Sequence, residues 1–171
     1  MRVLVALTYY RPHTSGLTIY AERLARSLAS RGHAVTVLTS RFDPSLPLRE
    51  EKDGVTVVRV PVAFLVSKGV IMPTFGLAAT RLVREHDVLS LHLPQLDASG
   101  LALRGRLFGK PVVVTYHCDL TLPDTPLNRL VNRVVVWSDR ATGKLADSIV
   151  AYTDDYAKHS RFLSRYLPKV R

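Results

Sequence analysis

Apolar and polar residues along this chain fall into short blocks that predict strands and helices in turn. Residues 3–7 form a continuous apolar run, which is typical of a strand buried on both faces of a sheet. Apolar residues then recur every three or four positions from Leu17 to Leu28, as on an amphipathic helix. Gly32 is placed to end this helix, and residues 34–38 form a second apolar run. The pattern therefore predicts a strand–helix–strand unit at the start of the chain.

The same alternation continues to the last residues. Strands are predicted over 54–60, 88–93, 112–116 and 149–152, and a polar surface loop over 43–53. Helices are predicted over about 73–84, 98–108, 126–144 and 154–166. The core positions predicted for the 126–144 helix are Leu127, Leu130, Val131, Val134, Ala141 and Leu145. We therefore expect one α/β domain, a Rossmann-like doubly wound, mainly parallel sheet with helices on both faces.

Composition narrows the class of protein. At 171 residues and 47% hydrophobic content the chain can bury the core of one domain. The single cysteine, Cys118, excludes an intrachain disulfide and a cysteine-rich zinc site, and fits a reducing compartment. The first residues lack the pattern of a signal peptide. The apolar segment 62–72 is interrupted by Lys68 and is too short to span a bilayer. We expect a cytoplasmic protein, with peripheral attachment to the inner face of the membrane as an option.

The net charge of +10 leaves three kinds of anionic partner open: nucleic acid, a membrane surface, or phosphorylated small molecules. Four cations share a narrow sector of the 126–144 helix: Arg129, Arg133, Arg140 and Lys144. They form either a solvated face or a contact with anionic lipid head groups. Nucleic acid is disfavoured because no aromatic residues are interleaved with the cations as stacking platforms.

The loop over residues 9–16, between the first strand and the first helix, is the first candidate site. Open α/β sheets bind ligands at the carboxyl ends of their strands, and a helix N-terminus there favours a phosphate. Gly16 stands at the mouth of the predicted helix, although a glycine there could equally serve a tight turn. The loop carries neither the G-x-G-x-x-G fingerprint of dinucleotide-binding domains nor a P-loop.

Two histidines near strand ends are the second candidate. His92 and His117 are expected at the same edge of the sheet, where either can hydrogen-bond a substrate hydroxyl or exchange a proton. The alternative is that they merely cap their strands. Asp97 and Asp119 lie nearby in sequence and can orient acceptor hydroxyls or cap helices and turns. No pair of residues has the spacing of a zinc site, so no metal and no cofactor is expected.

Seven segments in order resemble the N-terminal domain of the family 4 retaining glycosyltransferases: SGL, RGHAVTVLTS, DGVTVVRVP, DVLSLHLP, GKPVVVTYHCD, ADSIVAYTDDY and LPKV. The resemblance implies one half of a two-domain GT-B fold. In that family the N-terminal domain binds mainly the acceptor, the C-terminal domain binds most of the nucleotide-sugar donor, and transfer proceeds with retention and without an essential metal.

The resemblance also implies roles for particular residues. Gly16 matches the second glycine of the family's G-G loop, which approaches the donor diphosphate, and Ser15 stands where the first glycine is usual. His117 matches the histidine of the T-x-H segment that faces the reacting sugar, and is the candidate catalytic residue. Thr153 matches a small hydroxyl position near the cleft. The remaining candidates for the acceptor side of the cleft are Tyr9, His92 and Asp119.

The chain ends at Arg171, where the family continues into the donor-binding domain with its E-x7-E segment. We therefore expect residues 1–171 to be a single N-terminal domain without the donor-binding domain, and to transfer no sugar alone. The expected partners are a nucleotide sugar and a glycan or lipid-linked acceptor, with no nucleic acid. One alternative is a non-catalytic basic module that docks on an anionic membrane or nucleic acid. A nucleotide-binding oxidoreductase or epimerase is a weaker alternative because the glycine fingerprint is missing.

Overall fold

A seven-stranded sheet forms the centre of the domain. The computed structural model describes residues 1–67, 69–120 and 122–171. The strands of the domain, of which β5 and β6 form a separate hairpin, are β1 Arg2–Ala6, β2 Ala34–Arg41, β3 Arg49–Lys52, β4 Val55–Pro61, β5 Phe64–Val66, β6 Gly69–Ile71, β7 Val88–Leu93, β8 Val112–Tyr116 and β9 Ser148–Val150. The sheet order is β3-β4-β2-β1-β7-β8-β9, and every pair except β3-β4 is parallel. The predicted Rossmann-like α/β fold is confirmed.

The helices connect the parallel strands. They are α1 Gly16–Ser30, α2 Phe75–Glu85, α3 Ala98–Leu107, α4 Pro126–Leu145 and α5 Asp154–His159. The predicted last helix over 154–166 is wrong in its length, because α5 ends at His159 and two short 3-10 helices follow over Leu163–Arg165 and Leu167–Lys169. Ser160 breaks the helix: its backbone is extended, and its hydroxyl accepts hydrogen bonds from the next backbone N–H groups.

The sheet is covered on both faces, as alternating side chains of β1 show. Val3, Val5 and Leu7 pack with Ala21 and Ala25 of α1 in one core cluster. Leu4 and Ala6 point to the opposite face and pack with residues of α2 and α3 in the larger cluster. Because apolar side chains leave both faces of the strand, β1 reads as a continuous hydrophobic run in the sequence.

Residues 43–53 were expected to form a surface loop, and this is wrong for the second half of the segment. Arg49–Lys52 form β3, an antiparallel edge strand beside β4. The strand has no apolar residue, and charged residues are common on exposed sheet edges. It is held by Arg59, whose buried guanidinium forms an ion pair with Glu50 at 2.5 Å and also donates to the backbone carbonyl of Pro47. The antiparallel hairpin of β5 and β6 lies in a region where no strand or helix was predicted. Lys68, which interrupts the apolar segment in the sequence, lies outside the described residues.

The predicted core face of α4 is wrong for three of its six residues, whereas Leu145 packs against the core as predicted. Leu127, Leu130 and Val134 are exposed by 57, 59 and 45%. The residues of α4 that are buried are instead mostly small or polar: Val135, Ser138, Asp139, Thr142 and Gly143. The reason is that polar groups on this face find partners in the protein. The Ser138 hydroxyl, for example, donates to the carbonyl of Leu96 at 2.6 Å.

The topology brings four loops to one edge of the sheet. Since β1, β7, β8 and β9 are parallel neighbours, the segments that follow their carboxyl ends lie side by side. The chain leaves β1 towards β2 on one side, while β7 lies on the other, so the strand order reverses at β1. Such a reversal is where open α/β sheets bind their ligands. The candidate site lies at this edge.

Candidate functional site

The N-terminus of α1 is open and capped by its own serine. Ser15 has an extended backbone (φ −153°), and its hydroxyl accepts a hydrogen bond from the backbone N–H of Thr18 at 3.2 Å. Gly16 follows as the first helical residue, with a φ outside the left-handed region. A Cβ on Gly16 would have no described atom within 4 Å. The fold therefore does not require glycine at this position, and the space beside it can be taken by a ligand.

His92 and His117 form a hydrogen-bonded pair at the ends of β7 and β8. Nδ1 of His92 and Nε2 of His117 are 2.9 Å apart. Nδ1 of His117 is also hydrogen-bonded to the hydroxyl of Tyr152. His92 is completely buried, and its Nε2 has no partner among the described residues. The three side chains are linked from the interior to the half-exposed Tyr152, a residue that was not among the predicted site residues.

Burial keeps both imidazoles neutral. Desolvation lowers the pKa of His117 to about 4, and it lowers the pKa of His92 further, with an added effect of the neighbouring His117. At neutral pH the pair can therefore donate and accept hydrogen bonds but carries no positive charge. One proton is shared between His92 Nδ1 and His117 Nε2, so the tautomers of the two rings are coupled.

Tyr20 connects the histidine pair to the start of α1. Its ring packs edge-on against the rings of His117 and His92, with centroids 5.1 and 5.9 Å apart. It makes a similar contact with Tyr152 at 5.8 Å. Tyr20 is four residues after Gly16, which is roughly 6 Å along a helix. His117 and the open N-terminus of α1 thus belong to one site.

An apolar groove of about 400 Å³ lies between α4, the loops after β1 and β7, and the β5–β6 hairpin. One wall is formed by the exposed leucines and valines of α4, including Leu127, Leu130 and Val134. The other side is lined by Tyr9, His13 and Ser15, which precede α1. The rings of Tyr9 and His13 are stacked, with centroids 4.8 Å apart. The groove has the size of a small-molecule site.

Two polar side chains that have no hydrogen-bond partner among the described residues line the same groove. Gln95 is 2% exposed, yet neither its amide nitrogen nor its amide oxygen has a hydrogen-bond partner in the described structure. Asp97 occupies the N-cap position of α3 but makes no capping hydrogen bond. Burial raises the pKa of the Asp97 carboxyl to about 6. Since buried polar groups are normally paired, both side chains are candidates for binding a ligand.

Asp139 of α4 lies behind these groups. Its carboxylate accepts a hydrogen bond from the backbone N–H of Gln95, and its Oδ1 has no described partner. Burial raises the pKa of Asp139 to about 7. Together with the Ser138 hydroxyl it fixes α4 against the loop after β7, and so sets the width of the groove.

The remaining predicted site residues have local partners. Asp119 is exposed and accepts a hydrogen bond from the hydroxyl of Tyr116 at 2.7 Å. Thr153 is the N-cap of α5, and its hydroxyl accepts from the backbone N–H of Tyr156 at 3.1 Å. Thr153 directly follows Tyr152 and lies at the same edge of the sheet. Its hydroxyl is thus engaged in the helix cap rather than turned to a ligand.

The four cations of α4 are all exposed, as expected. Arg129 forms a bidentate ion pair with Asp124 at 2.6 and 2.9 Å. The side chains of Arg133, Arg140 and Lys144 have no ion-pair partner within the described ranges. Three of the four charges are therefore available to an anionic surface.

The described residues contain neither a metal-binding cluster nor a membrane-spanning helix. No group of three His, Cys, Asp or Glu side chains is arranged to hold a metal ion. None of the described helices combines the length and hydropathy that are needed to cross a bilayer.

Comparison with solved structures shows the same fold in three glycosyltransferases. Sucrose-phosphate synthase from Thermosynechococcus elongatus matches 99% of this chain with a TM-score of 0.68 at 15% identity. HepE from Anabaena, solved with UDP, matches 100% with a TM-score of 0.62 at 14% identity. UDP-forming α,α-trehalose-phosphate synthase from Burkholderia vietnamiensis matches 98% with a TM-score of 0.53 at 13% identity. This chain spans only 47, 43 and 42% of their respective lengths.

Sequence comparison identifies the family. No curated protein shows significant sequence similarity to this chain. The profile of the glycosyl transferase 4-like domain, however, matches residues 15–171, from the cap of α1 to the last residue. This range holds the open helix N-terminus, the histidine pair and most residues of the groove, and the match confirms the resemblance found in the sequence. The chain belongs to the glycosyl transferase 4-like domain family.

Proposed function

We propose that this chain is the acceptor-binding half of a retaining glycosyltransferase, which moves a hexosyl group from a nucleotide sugar to a hydroxyl of a glycan or lipid-linked acceptor. The observation that carries the proposal is the open N-terminus of α1 at Gly16 beside the neutral His117, in a chain of this family. A donor-binding domain that follows in a longer protein would complete the cleft.

The donor diphosphate is placed at the start of α1. The first backbone N–H groups of the helix have no intrahelical acceptors, and the partial positive charge of the helix end favours the phosphate that departs during transfer. A side chain at Gly16 would occupy this space. The proposed contribution of this half is thus electrostatic stabilisation of the leaving group and positioning of the reactants.

His117 is assigned to the reacting sugar. Both of its ring nitrogens are engaged by His92 and Tyr152, so a sugar hydroxyl would bind in exchange for the Tyr152 hydroxyl. A neutral ring suits this task because it can accept a hydrogen bond from a hydroxyl at pH 7 without repelling an electron-poor anomeric carbon. No metal enters this scheme. As HepE was solved with UDP and the trehalose-phosphate synthase is UDP-forming, UDP-sugars are the first donors to test.

The test is a transfer assay with radiolabelled nucleotide sugars and a panel of soluble glycans and membrane lipids. It compares the 171-residue chain with the longest natural protein that contains it. We expect transfer by the longer protein only, and loss of at least 90% of it in His117→Ala and in Gly16→Val. Asp155→Asn, which changes an exposed residue of α5, is the control. A longer protein that transfers no sugar from any donor would refute the proposal.

The second candidate function, docking on an anionic membrane, rests on the unpaired cations of α4. Arg133, Arg140 and Lys144 are exposed beside Trp137, which is itself 69% exposed. Each cation near an anionic surface contributes about 1 kcal/mol. We expect the chain to sediment with anionic vesicles and not with neutral ones. Arg133→Glu should weaken this binding, and Arg23→Glu on α1 should not. Equal binding to both kinds of vesicle would remove the membrane proposal.

A further inference from the structure

We infer that the groove beside α4 binds an amphiphilic acceptor, with a hydroxylated head at Gln95 and Asp97 and a hydrocarbon chain along the apolar wall of α4. This inference rests on the proposed function, since it names the chemical class of the acceptor. It arises from the uneven distribution of polar and apolar side chains within a single groove.

The hydrocarbon end is indicated by the exposure of α4. Leu127, Leu130 and Val134 line the groove and are 57, 59 and 45% exposed, although a helix of a soluble domain normally turns such residues to the core. The buried positions of α4 are taken by Ser138 and Asp139 instead, and the Ser138 hydroxyl donates to the Leu96 carbonyl. The leucines are therefore free to contact a partner without any change in how α4 packs. A row of aliphatic side chains offers no hydrogen bonds, so it selects a hydrocarbon rather than a sugar.

The head-group end is indicated by two polar groups that lack partners. Gln95 lines the groove with an amide that is almost fully buried and makes no described hydrogen bond. The carboxyl of Asp97 lines the same groove and is free of the α3 cap. An amide oxygen and a carboxylate both accept hydrogen bonds from hydroxyl groups, and a carboxylate disfavours an anionic group beside it. The complementary ligand at this end is a neutral polyhydroxyl group such as a sugar.

The arrangement also gives the ligand a direction. Ser15, at the mouth of α1, lines the groove together with Gln95, and Gly16 follows it. Because β1 and β7 are parallel neighbours, the loop that holds Gln95 lies beside the loop that leads to Gly16, so a head group at Gln95 would face the proposed diphosphate position. The hydrocarbon chain would extend away from it along α4. An amphiphilic acceptor bound in this way presents its hydroxyl to the reaction and keeps its tail out of the cleft.

The experiment uses alkyl glucosides as probes, below their critical micelle concentrations, and follows the fluorescence of the single tryptophan, Trp137 on α4. Burial of each additional methylene should tighten binding about fourfold. Octyl glucoside should therefore bind about fifteenfold more tightly than hexyl glucoside, and methyl glucoside should bind weakest. Calorimetry repeats the measurement without relying on Trp137.

Three variants separate the two ends of the site. Leu130→Asp should reduce the octyl-to-hexyl ratio to less than about threefold, whereas Leu77→Asp, which changes a 77% exposed leucine of α2, should leave it unchanged. Gln95→Leu should weaken octyl glucoside about tenfold and keep the chain-length ratio, because it removes the head-group contact alone. Circular dichroism of each variant verifies that it is folded.

The possible outcomes distinguish this inference from the proposed function. Binding that does not depend on chain length, or a Leu130→Asp variant that behaves like Leu77→Asp, would overturn the inference. A concentration-dependent dimer that Leu130→Asp dissolves would overturn it too, since the groove would then hold a second copy. If the longer protein transfers sugar to soluble glycans and Leu130→Asp does not change this transfer, the glycosyltransferase proposal is supported and the amphiphile site is refuted. Chain-length-dependent binding without any sugar transfer would support the amphiphile site and refute the glycosyltransferase proposal.

Discussion

Replacing Asp139 by asparagine tests the electrostatics of the groove most directly. Asp139 is 5% exposed, and burial raises its pKa from 3.8 to about 7, against the lowering effect of the hydrogen bond from the Gln95 backbone. An asparagine keeps an oxygen that can accept this hydrogen bond but removes the titration. The comparison of wild type with Asp139→Asn therefore isolates the free energy of a buried carboxyl.

The sign and size follow from proton linkage. A group whose pKa is raised in the folded state stabilises the fold below its unfolded pKa, and this stabilisation is lost as the pH rises through the folded pKa. For Asp139 the window runs from about pH 4 to pH 7. A shift of about three pKa units corresponds to at most about 4 kcal/mol, of which about 2–3 kcal/mol falls between pH 5 and pH 8. The lowered pKa values of His92 and His117 make the stability rise with pH instead, but both histidines are present in both proteins, so their effect cancels in the difference.

The assay is urea unfolding of both proteins at four pH values between 5 and 8. As the pH rises over this range, we expect the free energy of unfolding of Asp139→Asn to increase by about 2–3 kcal/mol relative to that of wild type. At pH 8 the variant should be the more stable protein. Glu51→Gln changes an exposed carboxylate of β3 without an ion pair in the described structure, and should show no such trend. A difference between Asp139→Asn and wild type that stays constant within about 0.5 kcal/mol would show that the Asp139 carboxyl is not desolvated, and the description of the groove would fail with it.

Three further predictions concern single residues. Gly16→Ala should leave the free energy of unfolding within about 0.5 kcal/mol of wild type, measured by urea, because its Cβ meets no described atom; a larger loss would contradict the open site. Gly143→Ala should cost about 1–3 kcal/mol, because its Cβ would lie 2.6 Å from the Tyr166 ring, and an unchanged stability would contradict this packing. The imidazole of His117 should stay neutral in an NMR titration from pH 7.5 down to about pH 5, since burial lowers its pKa to about 4. Titration of His117 near pH 6.5 would show that it is solvated.

The sequence was sufficient to predict the sheet because each central strand is apolar on both faces. The run at β8, with Val112 and Val114 facing one core, can be read directly, and so can the α1 stripe that Gly32 ends with a φ of +83°. The edge strand β3 could not be predicted in this way. Its residues are charged, and its position depends on a pairing with β4 and on Arg59, which lies ten residues from the start of the strand.

The site was predictable in part for a related reason. Parallel strands bring His92 and His117 to one edge, so their proximity follows from the topology. Tyr152 and Gln95 were missed, because nothing local distinguishes a tyrosine that reaches a histidine 35 residues away from one that packs in the core. The groove was missed because helical periodicity identifies an apolar stripe on α4 but does not show which part of its length packs on the domain. Leu145 packs against the core, whereas Leu127, five turns earlier on the same side of the helix, is 57% exposed and lines the groove. The hydroxyl of Ser138 holds the second half of the helix through its bond to the loop after β7.

Comparison of the glycines separates what the fold needs from what a ligand needs. A Cβ at Gly105 would lie 2.5 Å from the Val112 side chain, and a Cβ at Gly143 would collide with aromatic rings, so both positions are fixed by packing. Neither backbone conformation nor packing requires glycine at position 16, because its φ is outside the left-handed region and a Cβ there would meet no described atom within 4 Å. Packing thus explains the first two glycines and leaves the third unexplained unless something outside the protein approaches its backbone. The Ser15 cap takes only the N–H of Thr18, and the first N–H groups of a helix favour an anion, which is why the diphosphate of a sugar donor is assigned to Gly16 and the acceptor to the groove beside it.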